Sequence, residues 1–373
     1  MTPGTTNAPV DPTDVIILGA GATKAEGGPL QGELFEQFFA ELRYRENELP
    51  IGMAERLKKF FMVFFGIDIY RWTRKSPRYP TFEEALGMLD LALQRNESFR
   101  DYDQSPVNPD IQAVRQDLTF LIALVLEWKL SGDTSVHQRL VERLERERVL
   151  RHTAFLSLNY DILIDNALAS RQIWPIYHLD YGIPFTNMIP RWSELALTTP
   201  GDLWYEPEPD RAVRLMKLHG SLNWLYCPTC VKMTIKPKEN GAVRVAVVPE
   251  PCRSCETKVI PIIIPPTFFK VMSNHFLQQV WRTAEETLAK AQRLFICGYS
   301  FPDADLHFKY LLKRAEVNRK TEPPQVYVIN HAAGKPKKQY AEEEQRYKRF
   351  FKHAGHNVHM TDLSFKSFAK DGI

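Results

Sequence analysis

Three polar side chains follow short apolar runs of the sequence, at the points where buried strands are predicted to end. Asn159 and Asp161 come directly after the run 154–158, and His219 follows the run 214–218. An imidazole transfers protons near neutral pH, and short polar groups can orient a water molecule or hydrogen-bond sugar hydroxyls. We therefore predict that these residues are catalytic. Two structural interpretations stay open, since Asp161 could cap the next helix and His219 could be a buried structural histidine.

A glycine turn at residues 19–23 follows the apolar run 15–18 and precedes a predicted helix at 31–45. Such a turn lets a phosphate approach backbone N–H groups at a helix N-terminus. The full Gly-x-Gly-x-x-Gly fingerprint is not met, because position 24 is Lys24, and an ordinary tight turn between strand and helix is the alternative. The candidate phosphate-binding residues are Gly19, Ala20, Gly21, Ala22 and Thr23.

Four cysteines are spaced Cys-x2-Cys-x21-Cys-x2-Cys, close to the spacing of zinc sites with four thiolates. Such a site has no open ligand position, so the metal is predicted to be structural. The predicted zinc-binding module covers about 224–260. The fifth cysteine, Cys297, ends an apolar run and is interpreted as a small buried hydrophobe. The predicted ligands are Cys227, Cys230, Cys252 and Cys255.

The composition is that of a folded globular protein, with 373 residues, 44% hydrophobic residues and a formal charge of +3. That charge is too small to predict nucleic acid or an anionic membrane as the main ligand. No apolar run approaches the roughly 20 residues that span a bilayer, and the N-terminus lacks the apolar core of a secretory signal. We expect a cytoplasmic protein with a flexible tail at residues 1–13, which are rich in Pro, Thr and Gly.

The candidate residues must be positioned by alternating strands and helices. Besides the three runs named above, strands are predicted at 293–297 and 325–329, and helices near 161–170, 276–291 and 305–318. Residues 335–352 are predicted to form a solvated helix of mixed charge. We therefore predict an α/β fold over 14–373, a Rossmann-like doubly wound parallel sheet with a small zinc-ribbon subdomain. The long helical pattern at about 46–150 is interpreted as an insertion between the first two strands.

In this order the motifs resemble those of the sirtuin-like (silent information regulator) family, from Asp14 to about Asn330. The glycine turn is similar to that family's first phosphate-binding motif, and the cysteines are similar to its zinc ribbon. Residues 158–161 resemble its Gln-Asn-Ile-Asp motif, and His219-Gly220 resembles its catalytic His-Gly. Residues 297–300 resemble its Gly-Thr-Ser segment, and 328–330 the strand end that meets adenosine. The resemblance implies NAD as ligand, with Gly298, Ser300 and Asn330 among its contacts.

The departures from that family point to one branch of it. Where the deacylases carry Gly-Ile-Pro-Asp-Phe-Arg, this chain has Gly-Gly-Pro-Leu-Gln at 27–31, and Leu158 replaces the glutamine beside Asn159. The Gly-x-Pro-Leu pattern and the large helical insertion resemble the divergent bacterial sirtuin-like effectors of anti-phage defence, which hydrolyse NAD. The zinc site is closer to the deacylases.

The leading hypothesis is an NAD glycohydrolase that cleaves the nicotinamide–ribose bond to give nicotinamide and ADP-ribose. Asn159 would orient the ribose or water, Asp161 would stabilise positive charge on the sugar, and His219 would accept a proton. The first alternative is an NAD-dependent protein-lysine deacylase, and the second is a non-catalytic nucleotide-binding assembly subunit. The defence resemblance further implies a homo-oligomer or a separately encoded regulatory partner, such as a nucleic-acid-handling ATPase or nuclease.

Overall fold

The computed structural model contains twelve strands and eleven α-helices in the part of the chain that it describes. The described residues are 11–70, 78–102, 110–130, 135–170, 172–173, 176–186, 204–235, 250–265, 274–302, 305–330, 337–351 and 357–373. The strands are β1 (Asp14–Leu18), β2 (Thr153–Ser157), β3 (His178–Asp180), β4 (Phe185–Thr186), β5 (Trp204–Tyr205), β6 (Ala212–Lys217), β7 (Gly220–Cys227), β8 (Lys232–Ile235), β9 (Ile260–Ile263), β10 (Arg293–Cys297), β11 (Gln325–Ile329) and β12 (Val358–Thr361). The helices are α1 (Ala20–Lys24), α2 (Leu34–Arg45), α3 (Met53–Phe65), α4 (Phe82–Arg95), α5 (Asp110–Lys129), α6 (Ser135–Arg146), α7 (Leu163–Leu168), α8 (His275–Lys290), α9 (Leu306–Val317), α10 (Lys337–Phe350) and α11 (Phe365–Asp371).

A seven-stranded sheet forms the centre of the main core, with the strand order β12-β11-β10-β1-β2-β6-β3. All of its pairings are parallel. The central strand β1 is buried along its whole length, as expected for an apolar, β-branched run covered on both faces. The predicted α/β doubly wound fold is confirmed. The five strands predicted for this sheet are present, and the structure adds β3 and β12 at its edges.

Helices α2 to α5 lie between β1 and β2 and enclose a second hydrophobic core. Its aromatic residues pack ring against ring, as where Phe35 stacks on Phe82 with centroids 4.1 Å apart. Helix α4 begins at a capping box in which Thr81 and Glu84 satisfy each other's backbone N–H groups. The sequence predicted one helix at 31–45, whereas the structure has the short α1, which begins within the glycine turn, and a 3-10 turn before α2.

Helix α6 also precedes β2 in the chain, but its apolar residues belong to the main core. It packs against α7 and the C-terminal α11. The buried Glu26 carboxylate accepts hydrogen bonds from the backbone N–H groups of Val136 and His137 at the start of α6. None of the described helices, α5 included, is both long and apolar enough to cross a membrane.

A second, smaller sheet has the strand order β5-β4-β8-β7-β9 and was not predicted from the sequence. Strand β7 is its longest member and begins at Gly220, immediately after His219. Trp224 on this strand is fully buried and contacts the rings of Tyr181 and Phe185. The cysteines lie at the far end of β7 and in the loop before β9, so one strand joins His219 to Cys227.

Candidate active site at the carboxyl edge of the sheet

A cavity of about 580 Å³ lies beyond the carboxyl ends of β1, β2, β6, β10 and β11, where ligands bind in open α/β sheets. It brings together most of the residues singled out in the sequence. Ala22 does not line it, because its side chain is buried in the main core. The predicted residues that line the cavity are Gly19, Ala20, Gly21, Thr23, Asn159, Asp161, His219, Gly298, Ser300 and Asn330.

His219 is held in one orientation by a backbone contact and two aromatic rings. Its Nδ1 lies 2.9 Å from the carbonyl oxygen of Leu158, which can only accept, so Nδ1 carries a proton. In the neutral imidazole this makes Nε2 the basic nitrogen. The rings of Tyr160 and Trp281 lie 6.1 and 6.4 Å from the imidazole, between centroids. His219 thus presents an imidazole of fixed orientation at the wall of the cavity.

Tyr160 closes the cavity wall on the side of the smaller sheet. Its hydroxyl donates to the carbonyl oxygen of Ile264 over 2.7 Å. Burial raises the pKa of Tyr160 far above its usual value, and the nearby carboxylates of Asp305 and Glu83 raise it further. The phenol therefore stays neutral at any physiological pH and serves as a wall and a donor.

Asn159 and Asp161 are both tied to the glycine turn. The Asn159 amide donates to the carbonyl oxygen of Gly19 over 2.9 Å. Asp161 accepts a hydrogen bond of 2.5 Å from the hydroxyl of Thr23 and one of 3.1 Å from the backbone N–H of Leu163 at the start of α7. Asp161 thus makes the helix-start contact that was the structural alternative, and it lines the cavity as well. Its carboxylate is fixed in place, so it can act on a ligand through its charge.

A buried lysine beneath these residues was not singled out in the sequence. Lys217 is 0% exposed, and its ammonium donates to Asp165 over 2.8 Å and to the backbone carbonyl of Asp161. Asp165 also accepts a 2.5 Å hydrogen bond from the hydroxyl of Tyr181. Lys217 could have been noticed in the sequence, because it is a charged residue within the apolar run that precedes His219. The lysine links the strand that carries His219 to the loop that carries Asn159.

The glycine turn has a structural reason that does not depend on a ligand. The N–H of Gly21 donates to the carbonyl oxygen of Gly298 over 2.7 Å, and the N–H of Gly19 donates to Cys297. Gly298 has φ +62°, and a Cβ on it would lie 2.5 Å from the backbone nitrogen of Ala22. The glycines let the two strand ends meet backbone to backbone. The N–H groups of Gly19, Gly21 and Ala22 in the turn are therefore already bonded within the protein.

The far end of the cavity is built by the ends of β10 and β11 and by helix α10. The side-chain amide of Asn330 donates to the carboxylate of Glu343, a residue that the sequence did not point to. The hydroxyl of Tyr299 donates to Asp305 over 2.8 Å, and burial raises its pKa well above the usual value. Ser300 is exposed at the rim. This end thus offers a buried polar pair that suits sugar hydroxyls.

The insertion supplies the remaining wall of the cavity. Ile122 and Leu126 of α5 contribute apolar surface, and Glu83 at the start of α4 accepts a hydrogen bond from the side-chain amide of Gln31. Ile122 and Leu126 thus belong both to the core of the insertion and to the cavity wall. By contrast, none of the described residues of the cysteine module, 224–235 and 250–260, lines the cavity.

The four cysteine sulfurs lie within 4.8 Å of one another, away from the cavity. The Cys227 and Cys255 sulfurs are 3.5 Å apart, and those of Cys230 and Cys252 are 4.0 Å apart. Four thiolates at about 2.3 Å from a tetrahedral metal have sulfurs roughly 3.8 Å apart. The cluster therefore fits zinc, and its thiolate donors match the preference of that metal.

The chain belongs to the SIR2-like family, because residues 153–353, more than half of its length, match the model of the SIR2-like domain. The predicted family resemblance is thereby confirmed, and it places the chain among NAD-dependent enzymes of the sirtuin type. No curated protein matches the chain.

Solved Sir2 structures are similar to the chain over most of its length. A structure of Sir2Tm bound to a propionylated peptide is 12% identical, with 96% of this chain and 90% of that chain covered and a TM-score of 0.41. A Sir2 structure with a p53 peptide and NAD+ is 13% identical over the same shares, with a TM-score of 0.39. One described as the structural basis for the mechanism and regulation of Sir2 enzymes is 14% identical over the same shares, with a TM-score of 0.42.

Proposed function

We propose that the protein is an NAD glycohydrolase that releases nicotinamide and ADP-ribose. The observation that carries this proposal is which parts of the chain form the cavity wall. Residues of the helical insertion cover the wall beside Tyr160, and the described residues of the cysteine module stay outside. A hydrolase needs only NAD and water in such a cavity. A deacylase needs in addition a groove that leads an acyl-lysine to the ribose.

In this proposal NAD lies across the carboxyl edge of the sheet. The adenosine half faces Asn330 and Ser300, the pyrophosphate lies beside the turn 19–23, and the nicotinamide riboside reaches Asn159 and His219. This orientation places the sugar that reacts beside the proton acceptor and beside the fixed carboxylate of Asp161.

The reaction breaks the bond between nicotinamide nitrogen and ribose carbon and forms a bond from that carbon to water oxygen. The bonding electrons leave with nicotinamide, and positive charge develops on the sugar. Asp161 stabilises that charge electrostatically, Asn159 orients the ribose or the water, and Nε2 of His219 accepts the proton that water loses. The fixed hydrogen bonds of these residues provide the preorganisation that such charge stabilisation needs.

The variants Asn159→Ala and His219→Ala test this assignment. We expect nicotinamide release to fall by about 100-fold or more in each, because His219 accepts the proton and Asn159 orients the ribose or the water. NAD affinity should change far less for His219→Ala, since the proton transfer belongs to the transition state. His275→Ala removes an exposed histidine at the start of α8 and serves as the matched control. Normal turnover in both site variants would remove the assignment.

The second candidate is a protein-lysine deacylase, favoured by the direct connection through β7 from His219 to the cysteine module. In that case NAD cleavage would depend on an acylated peptide. A non-catalytic nucleotide-binding subunit would instead bind NAD tightly without releasing nicotinamide in either condition.

For the biological role we propose that NAD depletion serves anti-phage defence in the cytoplasm. The support is the Gly-x-Pro-Leu pattern at 27–30 together with the large insertion. Unrestrained NAD loss is toxic, so a homo-oligomer or a separately encoded partner would hold the enzyme inactive before infection. Cellular NAD measured before and during infection tests this role, and equal NAD loss in cells that carry His219→Ala would contradict it.

A further inference from the structure

Arg346 on helix α10 lines the cavity but was assigned no role by its position in the sequence. Its Nη2 donates to the backbone carbonyl of Ser300 over 3.4 Å. Its Nε is buried and has no hydrogen-bond partner among the described residues. A buried charged donor without an acceptor is unfavourable, and a ligand that supplies an acceptor removes that cost.

A tyrosine side chain anchors α10 to the turn that follows β10. The next residue, Tyr347, is 0% exposed, and its hydroxyl donates to the carbonyl oxygen of Tyr299 over 2.5 Å. The same turn contains Gly298, which accepts the 2.7 Å hydrogen bond from Gly21. Arg346 is therefore held beside the point where the glycine turn 19–23 meets Gly298.

The described cavity wall offers few positively charged side chains that could bind a pyrophosphate. Among the described residues that line the cavity, the lysine and arginine side chains are Lys24 and Arg346. Lys24 is 45% exposed and forms an ion pair with Glu33 at 2.7 Å. The N–H groups of Gly19 and Gly21 are bonded within the protein, and α1 has only five residues, too few for a strong helix dipole.

We infer that Arg346 binds the pyrophosphate of NAD, with Nε and an Nη group donating to phosphate oxygens. A guanidinium presents two parallel N–H groups in a geometry that matches a phosphate, which a lysine ammonium does not. The inference takes its ligand from the proposed function but does not depend on hydrolysis. It extends to any ligand with a pyrophosphate linked to adenosine, including ADP-ribose.

The test is the dissociation constant for ADP-ribose measured by titration calorimetry in wild type, Arg346→Gln and Arg346→Lys. We expect Arg346→Gln to bind at least about 10-fold more weakly, because a charge-assisted pair is lost. Arg346→Lys keeps the charge and loses the fork, so its affinity should lie between the two. Arg349→Gln removes the same charge from an exposed position on α10 and should bind like wild type.

Adenosine, which lacks phosphate, gives the control for folding in each variant. Equal adenosine affinity with weaker ADP-ribose binding supports the inference, even where a variant is less stable. Equal ADP-ribose affinity in wild type and Arg346→Gln overturns it. A further outcome is that wild type releases no nicotinamide while Arg346→Gln still binds ADP-ribose more weakly than wild type does. In that case the hydrolase proposal fails and the pyrophosphate contact stands. If wild type releases nicotinamide and Arg346→Gln binds ADP-ribose as tightly as wild type, the hydrolase proposal stands and the pyrophosphate contact fails.

Discussion

Gly298 shows how a single residue determines the shape of the site. With φ +62° it is in the left-handed region, and its backbone touches that of Gly21 and Ala22. The contact joins the ends of β1 and β10, the strands whose loops form the middle of the cavity. The closeness of these loops requires residues without a Cβ.

The variant Gly298→Ala should therefore be more damaging than an ordinary glycine substitution. Gly66 has a similar φ of +65°, but a Cβ there would meet nothing within 4 Å, so Gly66→Ala is the matched control. We expect Gly66→Ala to lower the free energy of unfolding by about 1 kcal/mol from backbone strain alone. Gly298→Ala should cost about 2 kcal/mol or more and weaken NAD binding. Denaturant unfolding measures the loss of stability in each variant. Equal losses in Gly298→Ala and Gly66→Ala would show that the close backbone contact at Gly298 is not what excludes a Cβ.

Cavity-lining residues that directly follow strands could be predicted from the sequence, whereas those on more distant elements could not. Asn159, Asp161 and His219 could be found because the carboxyl ends of parallel strands converge at one edge. Glu343 and Arg346 lie in a charged helix whose mixed pattern is typical of a solvated surface. Their approach to the cavity depends on how α10 packs, which no local pattern encodes.

Strand β6 and helix α7 are joined beneath the site by the buried pair of Lys217 and Asp165. Because Lys217 also donates to the carbonyl of Asp161, the pair fixes the loop from β2 to α7 relative to the strand that carries His219. Buried ion pairs are costly to desolvate, so this one is better understood as a device for positioning than as a source of stability.

Lys217→Met should destabilise the protein by about 3–5 kcal/mol, because it leaves the Asp165 carboxylate buried without its partner. The double variant Lys217→Met with Asp165→Asn removes both charges and keeps an acceptor for Tyr181. It should regain much of the lost stability but not the activity, since the carbonyl of Asp161 still lacks its donor. Thermal unfolding and nicotinamide release measure the two properties. Full activity in the double variant would show that the pair does not position the loop.

The strands of the main sheet were easier to predict than those of the smaller sheet. Runs such as 15–18 and 293–297 are apolar, β-branched and bounded by turns, which is typical of buried parallel strands. The smaller sheet contains two-residue strands, and β4 pairs with β8 across a long separation in the sequence. Helix α1 was missed because a five-residue segment that begins within a glycine turn has too few positions for a helical period.

The molecule as a whole places its cavity where two hydrophobic cores meet. Ile162 and Leu222 lie shortly after the proposed catalytic residues Asp161 and His219, and both are buried in the core of the insertion. The loops that carry Asn159 and His219 are therefore packed between the sheet and the helices α2 to α5. The insertion thus stabilises the site as well as covering it.

The cysteine module lies at the far end of β7 and outside the cavity, so a metal bound there should affect folding first. We expect purified protein to carry one zinc ion per chain by elemental analysis. Cys252→Ser should lose that metal and lower the unfolding temperature, because structural zinc contributes directly to folding. Ser254→Ala, an exposed neighbour in the same module, should keep both. Metal-free protein with unchanged stability in Cys252→Ser would contradict this role.

The most direct test of the proposed hydrolysis is nicotinamide and ADP-ribose production from NAD by purified wild-type protein in the absence of any peptide. We expect equal amounts of the two products from wild type and almost none from His219→Ala. Release that requires an acyl-lysine peptide would contradict the hydrolase and indicate a deacylase. Tight NAD binding without release in either condition would contradict catalysis at this site.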